Sequence, residues 1–197
     1  MKRKALIIIL MSIALVSNLF ALDYYDTGSQ IFTITVGVDL PFTNTYRDVD
    51  NNYVTSYWWG DDGTHFNIGG YGSIDYEVFT NSKLAFGGEI GYLFNRCTDS
   101  KLFTQVPLLF KATYVPIQGK FETLFSLGLG FNYMSYNDSS MFVLTSSLTL
   151  GCRYFITDNW AIGLKSGINF TPELYVKSEK NGFHSSIPCS LFASYRH

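Results

Sequence analysis

Apolar side chains at every second position, sustained over long stretches, constrain this chain more than any other feature. The region from Leu102 to Met134 states the pattern best. Its first arm sets Thr104, Val106, Leu108, Phe110, Ala112 and Tyr114 against Phe103, Gln105, Pro107, Leu109, Lys111 and Thr113. Its second arm sets Phe121, Thr123, Phe125, Leu127, Leu129, Phe131 and Tyr133 against Glu122, Leu124, Ser126, Gly128, Gly130 and Asn132. Period two means extended strands with one apolar and one mixed face. A short turn with Pro116 and Gly119 makes the two arms an antiparallel hairpin. Aromatics sit beside the turn (Tyr114, Phe121) and again far from it (Phe131, Tyr133). Rings at both ends of an apolar strand face are what a bilayer-crossing strand presents to its two water boundaries.

The alternation recurs eight times. The expected segments are Gln30 to Phe42, His65 to Val78, Lys83 to Asn95, the two arms above, Met141 to Ile156, Trp160 to Thr171 and Gly182 to His197. Phe66, Ile68, Ile74 and Tyr76 are expected on the outer face of the second segment. Connections after the even segments are tight. Those after the odd ones, Thr43 to Thr64, Arg96 to Lys101, Ser135 to Ser140 and Pro172 to Asn181, are mostly longer or more polar. Short periplasmic turns and longer external loops have this rhythm. The expectation is an all-β, eight-stranded antiparallel up-and-down transmembrane barrel spanning 22–197 as one domain. Charged residues are only 15% of the 197, against roughly 25% in soluble domains, and no apolar run is long enough for a spanning helix. A soluble barrel alternates too, but its outer face needs Lys, Glu and Arg; here the non-apolar face is largely Gly, Ser, Thr and Asn.

Ahead of the strands, Lys2, Arg3 and Lys4 precede an apolar run from Ala5 to Val16 and a small residue, Ala21. That order fits a cleaved export signal over 1–21 and a cell outer-membrane destination. With a net charge of −2 and scattered basic residues, nucleic acid is not an expected partner; outer-membrane lipid is.

The inward charges are the candidate site. Asp39, Asp75, Glu77, Glu89 and Glu122 face inward with Lys111, Arg153, Lys165 and Arg196. Eight strands leave an interior that side chains can fill. The expectation is a lumenal ion-pair network, with Glu89 opposite Lys165 and Asp75 opposite Arg153. Tyr76, Tyr114, Phe121, Tyr154, Trp160 and Tyr195 fall on the apolar face near the tight turns and form an expected aromatic girdle. In the first long loop, Tyr53, Tyr57, Trp58 and Trp59 either contact an external partner or extend the neighbouring strands outward.

The eight alternating segments, the strand Gln105-Val-Pro-Leu-Leu-Phe-Lys111 and the turn Asp158-Asn159-Trp160 make the chain resemble the small bacterial outer-membrane barrels of the OmpX/OmpW type and the OmpA membrane domain. The resemblance covers Leu22 to the C-terminus. It implies passage of small, hydrophobic solutes through a narrow channel, or a role in envelope integrity. The family's last strand usually ends in Phe, whereas this chain ends Arg196-His197.

Other motifs carry less. His184 and Ser186 have the His-x-Ser spacing of a lipid A deacylase of this fold, yet no Asp or Glu follows to orient the histidine. Asp48-Val-Asp50-Asn-Asn52 lacks the Gly and Glu of a calcium loop. Cys97 is expected in a loop, with Cys152 and Cys189 facing lipid as small apolar residues. No cofactor or metal is expected, and catalysis is not. Three readings of function stand: a channel or envelope-integrity barrel, a surface adhesin binding an extracellular ligand through residues 43–64, and a lipid-modifying enzyme.

Overall fold

Tight turns fix where each hairpin begins. Asn81 Oδ1 accepts from the backbone N–H groups of Lys83 and Leu84, both at 2.9 Å, closing the turn that follows Phe79. Gly119 takes the left-handed region at φ +143° in the turn after Tyr114. Thr157 Oγ1 accepts from the N–H of Trp160 at 3.0 Å in the third.

The computed structural model describes residues 25–47, 52–57, 66–97, 101–136, 139–173 and 182–197. The expected signal segment, Trp58 and Trp59 lie outside them. The strands are β1 (Gln30–Arg47), β2 (Tyr53–Tyr57), β3 (Gly69–Phe79), β4 (Leu84–Arg96), β5 (Leu102–Tyr114), β6 (Phe121–Tyr136), β7 (Ser139–Phe155), β8 (Trp160–Glu173) and β9 (Gly182–Arg196). Each long strand pairs antiparallel with the next, and β1 pairs with β9 from Ile31↔Arg196 to Thr45↔Phe183. Eight strands therefore close a barrel. Among the described residues the short β2 pairs only with the far end of β1, Thr43↔Tyr57 to Arg47↔Tyr53, past the end of the β1–β3 ladder at Asp39↔Gly69.

Burial alternates along the strands, and the apolar side faces out. Ile34, Val36, Ile90, Leu108, Phe110, Leu129, Phe131, Leu164 and Leu191 all lie exposed around the wall. A soluble monomer does not carry a continuous apolar belt of this kind; hydrocarbon covers it. The inner face is polar, as Asp75, Glu89, Lys111, Asn132, Arg153 and Ser190 are buried.

Several expectations need correction. The first strand does not end at Phe42 but continues to Arg47, because part of the expected loop folds back as β2. The second barrel strand starts at Gly69, not His65. Phe66 is not outward: it forms an isolated bridge with Cys97 and packs inward near Phe103 and His184. The strand phase breaks between Phe66 and Gly69, so period two ceases to hold there. Cys97 is buried with Phe103, Met134 and Val143, not loop-exposed. The expected loop from Ser135 to Ser140 shrinks, as β6 and β7 pair up to Tyr136↔Ser139.

Candidate functional site: a layered lumen

The bore is filled from end to end by distinct layers of side chains. At the turn end, Tyr25 reaches in from ahead of β1 and stacks on Phe79, with ring centroids 3.9 Å apart. Ile31, Ala85, Val115 and Leu124 complete this apolar layer. The Tyr25 hydroxyl donates to Glu122 Oε2 at 2.8 Å and accepts from Arg153 Nη2 at 2.8 Å. Burial, the largest influence, pushes the Tyr25 phenol up, so it stays protonated and able to donate. Arg153 Nε donates to the same carboxylate oxygen at 2.6 Å. The Arg196 guanidinium lies over the Phe155 ring at 4.6 Å and bonds the carbonyl of Asp158.

Above this sits the charged layer. Lys111 Nζ is 3.2 Å from Asp75 Oδ1, 3.2 Å from Glu89 Oε2 and 3.7 Å from Glu77 Oε2. From β8, Lys165 Nζ reaches Asp75 Oδ2 at 3.5 Å and Glu89 Oε2 at 3.7 Å. Register explains the assembly. Asp75 and Glu89 are direct partners on β3 and β4, two like charges side by side. Glu77 and Lys111 are separated by Gly87, which pairs with both and interposes no side chain. Tyr71 donates to Glu89 Oε1 at 2.6 Å and Thr113 donates to Glu77. Cavities of about 10 and 20 Å³ adjoin the layer, each with room for roughly one water. Phe192 lies over Gly163, where a Cβ would sit 2.3 Å from its ring, and helps fill the bore.

The expected contact between Glu89 and Lys165 has a distance, 3.7 Å. The pairing of Asp75 with Arg153 is replaced: Asp75 meets both lysines and Arg153 meets Glu122. Strand stagger shifts cross-bore neighbours in height, whereas Glu122 and Arg153 are direct partners on adjacent strands. Tyr25 was missed because it precedes the first alternating segment.

Toward the loop end a neutral polar layer follows: Asn132 donates to Gln105 at 2.7 Å, and the Thr145 and Thr171 hydroxyls are 2.9 Å apart. Above it, Phe66, Phe103, Cys97, Met134 and Val143 surround His184, whose ring meets Phe66 and Phe103 edge-on at 5.7 and 5.4 Å. Neither His184 nitrogen nor Ser186 Oγ has a hydrogen bond among the described residues. The base–nucleophile–orienter chain that acyl transfer needs is not assembled there.

On the outside, Tyr76, Tyr114, Phe121, Tyr154 and Trp160 are exposed and Tyr195 is half-exposed. Trp160 and Tyr195 pack at 5.0 Å. Phe32 pairs with both Tyr76 and Tyr195 and joins this aromatic arc from β3 across β1 and β9 to β8; sequence reading had not assigned it there. Of the external aromatics, Tyr57 is exposed at the end of β2, and Tyr53 begins that strand.

An apolar outer belt, a closed wall and a hydrophilic, packed interior define an integral membrane β-barrel of the outer-membrane type. A protein-family model matches residues 15–195, and the chain belongs to that family. Neisserial surface protein A (NspA) shares the fold with a TM-score of 0.58 at 14% identity, over 84% of this chain and 97% of that one. AlkL, solved in lipid bilayers, gives a TM-score of 0.49 at 13% identity over 88% and 92%. OprG from Pseudomonas aeruginosa gives 0.48 at 12% over 90% and 99%. A protein of Treponema pallidum (strain Nichols), described as uncharacterized, is 31% identical over 97 residues, 49% of this chain. The match spans 44% of that relative's length.

Proposed function

We propose that this chain is a closed, non-conducting outer-membrane barrel that serves the envelope as a fixed structural element and is not an enzyme. The filled bore carries the reading. Lys111 and Lys165 tie β5 and β8 to carboxylates on β3 and β4, so the middle of the lumen is bridged by ion pairs where a channel needs a water column. Moving these groups aside separates buried charges, which costs about 3–5 kcal/mol for each pair broken. The aromatic arc marks the periplasmic boundary of the hydrocarbon, and lipid is the standing partner. Purified barrel reconstituted in planar bilayers is expected to leave the membrane at its baseline conductance. Steady single-channel steps, or uptake of a small hydrophobic solute into proteoliposomes, would return the channel reading to first place.

A second reading rests on the hairpin formed by the end of β1 with β2. It sets Tyr57 exposed at the outer rim, level with Ser185 of β9, where an extracellular ligand would meet it. Deleting Asp48 to Asp62 should abolish binding of cells to host matrix while the barrel still folds. Unchanged adhesion would remove the adhesin reading and leave the envelope reading standing.

A further inference from the structure

We propose that Asp39, with Asn95 and Ser186, holds a small monovalent cation in the outer half of the lumen. Among the described residues the charged layer sets Asp75, Glu77 and Glu89 against Lys111 and Lys165, leaving one negative charge over. Asp39 is a further inward carboxylate, fully buried on β1, and it belongs to none of these ion pairs among the described residues.

Geometry supplies the rest. Both Asp39 carboxylate oxygens lack a hydrogen-bond partner among the described residues, and so do Asn95 Oδ1 and Ser186 Oγ, all on buried residues. The Ser186 and Asn95 side chains face the Asp39 carboxylate without reaching hydrogen-bonding geometry to it. Ser186 pairs with Pro41, one inward step along β1. Asn95 crosses β3 over Gly69, where a Cβ would lie 1.6 Å from a backbone oxygen, and its Nδ2 donates to the Asp39 carbonyl at 3.4 Å.

A buried carboxylate is held by a partner cation, by a metal, or by taking up a proton. A proton satisfies the charge but lets Asp39 donate to only one of the neighbouring oxygens. An oxygen-liganded hard cation answers both needs. One negative charge selects a monovalent ion such as Na⁺; a divalent ion leaves an uncompensated positive charge in the same place.

The test is thermal unfolding of the folded barrel in detergent, in NaCl and in choline chloride at equal ionic strength. The wild type should melt higher in NaCl, with a saturable dependence on Na⁺ that bulky choline does not reproduce. Asp39→Asn should lose that dependence, and Ser186→Ala should raise the half-saturating Na⁺ concentration about tenfold. Identical melting in the two salts, a full Na⁺ response in Asp39→Asn, or an unmoved midpoint in Ser186→Ala would overturn the assignment. If Asp39→Asn does not fold, sodium NMR of the wild type decides: a line broadened by the barrel and restored by excess K⁺ supports the site, and an unbroadened line refutes it.

Discussion

Single side chains in the bore are held by more than one partner, so their loss is not a local matter. Lys111 stands within 3.7 Å of three carboxylates. Lys111→Met should destabilise the barrel by about 3–5 kcal/mol, read from urea unfolding in detergent, because buried Glu77 loses its lysine and Asp75 and Glu89 are left to share Lys165. Glu89→Gln, Lys165→Gln and the double variant should be non-additive by about 0.5–3 kcal/mol; additive losses would show that the 3.7 Å contact carries no coupling. Tyr25→Phe removes a hydroxyl bonded to both Glu122 and Arg153. It should cost about 1–3 kcal/mol while the stack on Phe79 survives. At this scale the sequence revealed which residues turn inward, since that follows from period two alone. It hid who meets whom. Glu122 and Arg153 are direct partners on β6 and β7 and lie equally far from the expected loop at Ser135 to Ser140, but matching heights across the bore overlooks neighbours on adjacent strands.

The strands themselves were legible because each repeats one simple rule over ten or more residues. What escaped lies where the rule lapses. β2 is five residues long, too short for alternation to stand out, and Phe66 sits beyond the start of β3, where no ladder fixes its direction. Elements also meet through glycines that a pattern does not explain. Gly163 on β8 lies beneath the Phe192 ring of β9. A Cβ at Gly163 would meet both the Cys152 carbonyl and the Phe192 ring at 2.3 Å, so Gly163→Val should lower stability by about 1–3 kcal/mol, and adding Phe192→Ala should relieve the ring contact alone and leave the pair non-additive. Thermal melts of the single and double variants check it.

For the molecule as a whole, the outer surface sets its place in the bilayer. Trp160 at the start of β8 is exposed on the outer face and packed against Tyr195. With Trp58 and Trp59 replaced by Phe, Trp160 emission should be quenched more strongly by lipids brominated near the headgroup than by lipids brominated at the chain terminus. The opposite ranking would move the boundary off the aromatic arc. The wall is also joined by its two extremes: β1 pairs with β9 along nearly its full length, and Gln30 and His197 exchange backbone hydrogen bonds at 3.0 Å. Such a zip pairs the most distant parts of the sequence, so it is expected to form late and slowly. Moving a lysine from the outer face to the bore after the seam has shut means breaking strand pairing again, so the buried charges are expected to meet before closure. Seam closure then depends on the interior, and a variant with a misplaced charge is expected to close more slowly.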